Sequence, residues 1–571
     1  MAQNTQDVLE FTEWAPDQEA IGTNVSSVIQ NAYPRKDGYG PFESLEAFTN
    51  ALPSNSRGFF FARKSDGSIA VFAGTATNLY QLNNTTFDWD NVSKGGGPYG
   101  SLVSSDNWQF AQFNDLVIAV QVNTFPQKFI LSSSTDFEDL GGSPPAAAFV
   151  AIVGFFVVLT GLLSDPRRAQ WSDLGAPEIW TAGVGLSDYQ DMSDGGNCIN
   201  LSGGDAFGVL FQQESIRSIT YAPGSAVVFQ IARISTQETL FGNNSIINVG
   251  DRTFYCGAAG FKMIVGSGNP QPIGKERVDR TFFADVDTSN LQLLIGASDP
   301  TSTRVYWAYK SQQGAAGLFD KVLLFDYVLN EWTQLIISGE WLGSLARPGV
   351  TLEQLDAIAS GALSVLGAAN NGAGLIRLTL NATSNAFFNI AGQNFIVVQG
   401  INPAYMNGQW AVNIIDPTHI DLIGSTFGAA YVSGGAIGGS LDSLPFSLDS
   451  VSKASVAKLA AFTSGHRLGF FTGPNLEAIL ETSDANPKGR TIEINGLWPF
   501  TDCNEAFCSV GMRMGTNEPV TYSPEYQIDN QGWCEAYVET RYARGRMRLP
   551  AGSTWTYAQG ISPDVSPAGE N

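Results

Sequence analysis

Residues 146–163 read AAAFVAIVGFFVVLTGLL, eighteen residues without a charge, in which Thr160 carries the only hydroxyl. By length alone this run could cross a bilayer as a helix. Its composition favours strands, because Val, Ile and Phe dominate and Gly154 divides it into two short apolar runs. No aromatic belt flanks it, and a polar turn follows. We therefore predict two buried strands, and a membrane span is the alternative.

The same unit recurs along the chain: an apolar strand, a Gly or Asp turn, a second apolar strand and a nearby aromatic. Its six copies lie at 57–82, 108–131, 149–173, 206–234, 245–266 and 291–335. A spacing of about 40–50 residues is typical of propeller blades, which cover one another's faces when they stack radially. The sequence thus predicts a mainly β fold, a β-propeller of about six blades. A pair of β-sandwiches is the alternative.

The segments around the repeats divide the chain further. We expect an N-terminal arm at 1–54, the propeller at 55–345, a connector helix at 346–370, a small inserted β-barrel at 371–440 and a C-terminal β region at 441–571 that completes the propeller or a platform. The helix is predicted from a capping box of Thr351 and Gln354 and from an apolar face that includes Leu366.

Charge and composition exclude several classes of protein. The chain has 31 basic and 54 acidic residues, a formal net charge of −23. Such a chain does not condense on DNA or on anionic lipid through bulk electrostatics. The first residues, MAQNTQDVLEFTEW, contain neither a basic nor an apolar region, so we expect no secretory signal there.

Residues that could carry catalysis or bind a metal are scarce. The five cysteines are scattered, which favours buried free thiols over a zinc site. His419 and His466 are the only histidines, so a His-based triad or a His-rich metal site is not expected. The Gly-rich stretches at 94–100 and 193–197 lack a following Lys-Ser/Thr. We predict no enzyme, no cofactor and no metal.

Two passages resemble known families. MNGQWAVNIIDPTHIDLIGSTFGAAYVSGG, at 406–435, is similar to a small β-barrel module of phage tail proteins that resembles the FCCH domain of ubiquitin-activating enzymes. The rest of the chain resembles the tail hub or nozzle family of short-tailed phages, also called packaged-DNA stabilisation proteins. The matching places are EWAPDQ (13–18), YPRKDGYGPF (33–42), FAGTATNLYQL (72–82), AQWSDLGAPEIW (169–180), FQQESIRSITY (211–221), PIGKERVDRTFF (272–283), LDSLPFSLDS (441–450) and RYARGRMRLPAGSTWTYAQGI (541–561).

This resemblance implies a structural protein of the virion tail, assembled in the bacterial host cytoplasm. Members form a ring of six beneath the portal and its adaptor ring. They retain packaged DNA and conduct it during ejection. The expected partners are further copies in a homohexamer, the portal and adaptor, tail fibres or a tail needle, and viral double-stranded DNA that passes without sequence-specific binding. No stable membrane insertion is expected.

A basic run stands out in so acidic a chain: Arg541, Arg544, Arg546 and Arg548. The last three alternate, so they would share one face of a strand. One interpretation is docking to an acidic neighbour or a contact with DNA. The other is a strand face with local ion pairs.

Two other functions compete with the structural one. A propeller glycosidase acting on host polysaccharide would need paired carboxylates in a cleft, and acidic residues are abundant. The repeated S-x-D-x-G-x-T-W boxes of such enzymes are missing, and 64–72 carries only a fragment of one. A receptor-binding adhesin is the third hypothesis, usually trimeric with fibre-like repeats.

Overall fold

The chain is a mainly β protein built around a β-propeller, as the sequence predicts. The computed structural model describes residues 8–567 except 20, 22, 85, 226, 347–362, 382–394, 417, 438–455 and 486–489. Within these residues there is one α-helix, Asp279–Asp285, with 3-10 turns at Lys94–Gly96, Thr288–Leu293 and Ala404–Met406.

Five sheets of four antiparallel strands follow one another, and in each the strands pair in chain order. Blade one comprises Phe59–Arg63, Ile69–Gly74, Leu79–Leu82 and Trp89–Asn91. Blade two comprises Gln109–Phe113, Leu116–Val120, Gln127–Ile130 and Glu138–Asp139. Blade three comprises Ala147–Val153, Phe156–Leu162, Arg168–Trp171 and Asp188–Asp191. Blade four comprises Cys198–Ser202, Phe207–Gln212, Ser215–Tyr221 and Phe229–Thr236, and blade five Ile247–Val249, Arg252–Gly257, Gly260–Val265 and Gln271–Pro272.

The apolar run at 146–163 forms the first two strands of blade three, which confirms the prediction of two buried strands. Gly154 sits in the connecting turn with φ of 60°, a backbone conformation that suits glycine. Val157, Val158 and Leu159 are fully buried because neighbouring blades cover both faces of the strand. That two-sided burial explains why the strand has no polar alternation. No helix in the described part of the chain is long and apolar enough to cross a membrane.

Blade six continues outward into a sheet of ten strands. Its own strands are Ile295–Asp299, Arg304–Tyr309, Lys321–Asp326 and Glu331–Leu335. The two-residue strand Ile29–Gln30 pairs in parallel with the last of these and antiparallel with Ala478–Glu481. Beyond it lie Tyr542–Leu549, Phe507–Arg513, Thr521–Tyr522 and Tyr526–Gln527. The propeller and the C-terminal region therefore share one hydrogen-bonded sheet.

A seventh blade closes the ring, one more than the six repeats suggest. Its strands are Trp341–Leu345, Lys458–Phe462, Leu468–Asn475 and Glu43–Ala47. The outermost strand comes from the N-terminal region, so the propeller extends beyond the predicted 55–345. The first strand of blade seven contacts those of blades six and one. Hydrophobic clusters shared by successive blades run around the whole ring.

A small closed barrel interrupts blade seven. Its strands are Leu363–Asn370, Ile376–Leu380, Phe395–Gln399, Gly408–Asp416, His419–Ile423 and Ala436–Ile437. The insertion leaves from Leu345 and returns at Lys458, and these two residues pair in the sheet. An insertion whose ends are neighbours leaves the pairing of the host strands unchanged.

The predicted connector helix at 346–370 is wrong where the structure describes it. Residues 363–370 form a barrel strand, and Leu366, assigned to the apolar helix face, is exposed. The barrel supplies cross-strand hydrogen bonds to this segment, which override a weak helical pattern that glycine already disfavours. Thr351, Gln354 and the rest of 347–362 lie outside the described residues.

A second sheet covers the outer half of the ten-stranded sheet. It contains Leu9–Glu10, Ala32–Arg35, Gly38–Pro41, Ile492–Thr501, Cys534–Thr540 and Ala558–Pro567. Buried side chains from both sheets and from blades five and six form one cluster, in which Trp307, Trp332 and Met547 are fully enclosed. The C-terminal region is thus a β-sandwich that has no core separate from that of the propeller.

Asn31, at the start of the N-terminal hairpin, hydrogen-bonds through its side chain to both the propeller and the sandwich. Its carboxamide accepts a hydrogen bond from the Ile336 amide at 2.7 Å and donates one to the Glu477 carbonyl at 2.8 Å. Its backbone adopts φ of 58° and the residue is 5% exposed.

We expect Asn31→Ala to lower the free energy of unfolding by about 1–3 kcal/mol, because it removes two hydrogen bonds that each contribute about 0.5–1.5 kcal/mol. Asn114→Ala is the matched control, since Asn114 has φ of 53° but is exposed in the first turn of blade two. Urea titrations of both variants separate lost hydrogen bonds from backbone strain. Equal losses would contradict the role assigned to the carboxamide.

Candidate functional site

The predicted basic run lies on the strand Tyr542–Leu549, inside the ten-stranded sheet. Arg544, Arg546 and Arg548 alternate along it, as the spacing indicates, and Arg541 immediately precedes it. Arg546 pairs in register with Glu481 on one neighbouring strand and with Ser509 on the other. The basic face therefore meets acidic residues of its own chain.

Arg544 is the most enclosed member of the run. Its Nε lies 2.6 Å from Asp484 Oδ1 and its Nη1 lies 3.4 Å from Glu481 Oε2. Both carboxylates are only 2% exposed, and Arg513 also binds Asp484. Burial lowers the pKa of Arg544, but the bond to Asp484 raises it and the net direction is upward. Two cations and two carboxylates thus compensate one another in the interior.

The other arginines are also engaged within the chain. Arg546 lies 3.7 Å from Glu481 and its guanidinium stacks 4.8 Å above the Tyr522 ring. Arg548 lies 2.8 Å from Glu525 and 3.3 Å from Glu477. These contacts match the ion-pair interpretation. Docking through Arg541, Arg544, Arg546 or Arg548 stays a prediction.

We expect Arg544→Met to lower the free energy of unfolding by about 3–5 kcal/mol, because it removes the cation that pairs with both buried carboxylates, Asp484 and Glu481. Arg548→Met is the matched control on the same strand face. Its partners Glu477 and Glu525 are 47% and 34% exposed, so its loss should stay within about 1 kcal/mol. Thermal and urea unfolding measure both values, and similar losses would argue against a buried network.

A cavity of about 270 Å³ lies on the propeller axis, and we call it the axial pocket. Six of the seven blades contribute to it, most of them where their first strands begin. Five carboxamide residues line it: Gln109, Asn200, Asn243, Asn244 and Asn248. Phe60, Phe110 and Trp341 supply aromatic walls. None of its lining residues is ionisable at neutral pH.

Two side-chain carboxamides hydrogen-bond to each other across the axial pocket. Gln109 Nε2 of blade two lies 3.3 Å from Asn244 Oδ1, on the segment that leads into blade five. Blades two and five stand on opposite sides of a seven-membered ring. Asn244 Nδ2 in turn donates to the Gln292 carbonyl at 2.9 Å. The channel of the propeller is therefore narrowed by its own side chains.

A second cavity, of about 290 Å³, lies where blades six and seven meet the N-terminal hairpin. Arg304, Lys458, Glu43 and Asp299 line it, so charges of both signs face the same space. The Arg304 guanidinium stacks 3.8 Å from the centre of the Tyr33 ring. Burial raises the pKa of Glu43 although Lys458 opposes the shift.

A carboxyl group with a strongly shifted pKa lies where the N-terminal arm crosses blade six. Burial, then the nearby Glu13 carboxylate, raise the pKa of Glu331 from 4.5 to about 7, although Arg277 opposes them. Arg277 binds Glu13 directly. Glu13 and Glu331 line neither described cavity, so this pair is not placed to act on a substrate there.

The raised pKa of Glu331 makes the free energy of unfolding depend on pH. Between pH 4.5 and about 7 the folded chain holds this proton more tightly than the unfolded chain does. Its contribution to stability is therefore present at low pH and is lost as pH rises through about 7. Glu331→Gln keeps the neutral form at every pH.

We expect Glu331→Gln to raise the melting temperature relative to the parent at pH 8 and to leave it nearly unchanged at pH 5. Glu214→Gln, at an exposed glutamate of blade four, should change the melting temperature little at either pH. Differential scanning calorimetry at the two pH values makes the comparison. A gain at pH 5 as large as that at pH 8 would contradict the assignment.

The thiols and histidines have structural surroundings. All five cysteines are free and buried, as the sequence predicts. His419 Nδ1 lies 2.8 Å from Asp416, and His466 binds the buried carboxylate of Glu340. In the described residues no group of three His, Cys, Asp or Glu side chains lies close enough together to hold a metal ion.

The chain is, by its strand pairing, a seven-bladed β-propeller protein. No protein-family profile matches it, and no curated protein matches it. Among solved structures it is similar to Kluyveromyces lactis Hsv2 with loop 6CD replaced by a Gly-Ser linker (10% identity, 63% of this chain and 96% of that chain, TM-score 0.28). It is also similar to BamB from Moraxella catarrhalis (12% identity, 55% and 87%, TM-score 0.28).

A third similar structure is a quinonprotein alcohol dehydrogenase-like protein from Bacteroides thetaiotaomicron (11% identity, 52% of this chain and 76% of that chain, TM-score 0.31). Because every one of these TM-scores is below 0.5, no function is transferred from these proteins to this chain.

The axial pocket and the raised pKa of Glu331 are not apparent from the sequence. The run NNSIIN at 243–248 is the one local signal, since it places three asparagines beside the first strand of a blade. Glu331 carries no such signal, because its partner Glu13 is more than 300 positions away.

Proposed function

We propose that this chain is a virion structural protein of the tail nozzle or hub of a short-tailed phage. It forms a ring, a homohexamer, around the DNA exit channel below the portal and adaptor. There it retains packaged DNA and conducts it during ejection. The observation that carries the proposal is the ten-stranded sheet, which joins propeller and sandwich into one continuous body that can serve as a ring subunit. The ordered motifs of the tail hub family support the same assignment.

The acidity of the chain supports a channel whose wall does not bind the DNA that it retains and conducts. A net charge of −23 opposes condensation on DNA phosphates. The axial pocket of about 270 Å³ cannot admit a duplex whose major groove alone is about 12 Å wide. In this proposal the DNA therefore passes through the centre of the ring of subunits and not through the propeller of each subunit.

The inserted barrel offers a surface for contact with neighbouring proteins. Exposed apolar side chains on it include Leu366, Tyr405, Ile415, Ile423 and Val432. In the proposal these side chains contribute to contacts with a neighbouring protein. In the proposed assembly the barrel meets an adjacent subunit, tail fibres or a tail needle.

The proposal is tested first on the purified chain. Native mass spectrometry should find six copies, and gel-shift titration with a duplex should show no binding at about 0.15 M salt. A variant with Ile423→Asp and Val432→Asp should reduce the hexamer without lowering the melting temperature. The matched control is Val103→Asp with Phe125→Asp, at exposed apolar side chains of blades one and two.

The proposed location in the virion is tested by imaging whole particles. Electron microscopy of virions with a tag on this chain should show density in a ring beneath the portal vertex. Density confined to fibre tips, a trimer, or tight binding to duplex DNA would each contradict the proposal.

The competing function is a tail-associated propeller that binds or hydrolyses glycan. No carboxylate lines the axial pocket, and the pair Glu13 and Glu331 lies outside both cavities. The axial pocket therefore lacks the two carboxyl groups that retaining and inverting glycosidases use. The second cavity does contain two, Glu43 and Asp299, so a hydrolytic site would have to lie there. Release of reducing sugar from host polysaccharide by the purified chain would favour the enzyme.

A further inference from the structure

The axial pocket has hydrogen-bonding groups that the protein does not use. Gln109 Oε1, the Asn243 carboxamide and Asn248 Nδ2 have no hydrogen-bond partner among the described residues, although all three residues line the pocket. Each carboxamide offers both donors and an acceptor. A partner for this set must itself donate and accept at several neighbouring positions.

Aromatic rings form the walls between these amides. Phe60 of blade one and Phe110 of blade two stack with centroids 6.0 Å apart and planes within 9°. Both rings are partly exposed, as is Trp341 of blade seven. Flat apolar faces beside unpaired amides suit a ligand that has C–H faces and hydroxyl edges.

We propose that the axial pocket binds a neutral saccharide of one or two rings. A sugar hydroxyl both donates and accepts, so it matches the carboxamides, while the C–H face of a pyranose packs on Phe110 or Trp341. The volume of about 270 Å³ lies just below the range of about 300–1,000 Å³ for drug-sized ligands. The site does not depend on the proposed tail function.

Other ligand classes fit the pocket less well. A phosphate, a nucleotide or a nucleic acid strand binds most strongly beside cationic side chains, and no lysine or arginine lines the pocket. A purely apolar ligand would displace water from the amides without pairing them, which costs free energy for each unpaired group. The neutral, polar and aromatic lining therefore favours a carbohydrate.

Binding is measured on the full chain by saturation-transfer NMR and isothermal titration. The probes are D-glucose, D-galactose, N-acetylglucosamine and maltose, each up to about 10 mM, a concentration at which even a millimolar site fills. Inorganic phosphate and thymidine monophosphate are the charged comparison probes. We expect at least one saccharide to bind and neither phosphate compound to do so.

The variant Gln109→Ala with Asn243→Ala should weaken saccharide binding about tenfold or more, because two hydrogen-bonding side chains are removed. Gln109→Glu keeps the side-chain shape and should also weaken binding, which guards against a folding defect in the double variant. Gln190→Ala, on the exposed edge strand of blade three, is the matched control and should bind as the parent does.

Three results would overturn the proposal: no binding of any of the four sugars, binding unchanged in both pocket variants, or tighter binding of phosphate than of sugar. Each is independent of whether the chain forms a hexamer, so the site and the ring can fail separately.

Discussion

The fold depends on a strand of two residues, Ile29–Gln30, which joins the sheet of blade six to the sheet of the sandwich. It runs parallel to Glu331–Leu335 of blade six and antiparallel to Ala478–Glu481 of the sandwich. Because it can hydrogen-bond along both of its edges, it joins the two sheets. Asn31, directly after it, pairs with backbone groups of both regions. Without this strand the outer edges of blade six and of Ala478–Glu481 would both be unpaired, and such edges invite aggregation.

The same N-terminal region closes the propeller. Glu43–Ala47 forms the outer strand of blade seven, while the inner strands of that blade come from positions some 300 and more residues later. Closure by distant parts of the chain holds the ring together through hydrogen bonds as well as packing. It also explains why a barrel can interrupt blade seven, since Leu345 and Lys458 stay paired across the insertion.

Charge is distributed differently in the basic run and in the axial pocket. Arg544, Arg546 and Arg548 of the basic run bind carboxylates of the same chain, and Asp484 and Glu481 are almost fully enclosed. The axial pocket, in contrast, has no ionisable side chain although the whole chain is acidic. Ionic groups thus bind parts of the chain to one another, whereas the axial pocket presents uncharged hydrogen-bonding groups.

The amino-acid order alone was enough for the mainly β class, for the two strands at 146–163 and for six of the seven blades, because adjacent antiparallel strands leave a local pattern of apolar runs and turns. It was also enough to place three arginines on one strand face. Blade seven, the shared ten-stranded sheet and the strand at 363–370 required the tertiary structure. Their hydrogen-bond partners lie far away along the chain. The same holds for the residues that neutralise Arg544, for those that raise the pKa of Glu331 and for those that together line the axial pocket. No local sequence pattern records such distant contacts.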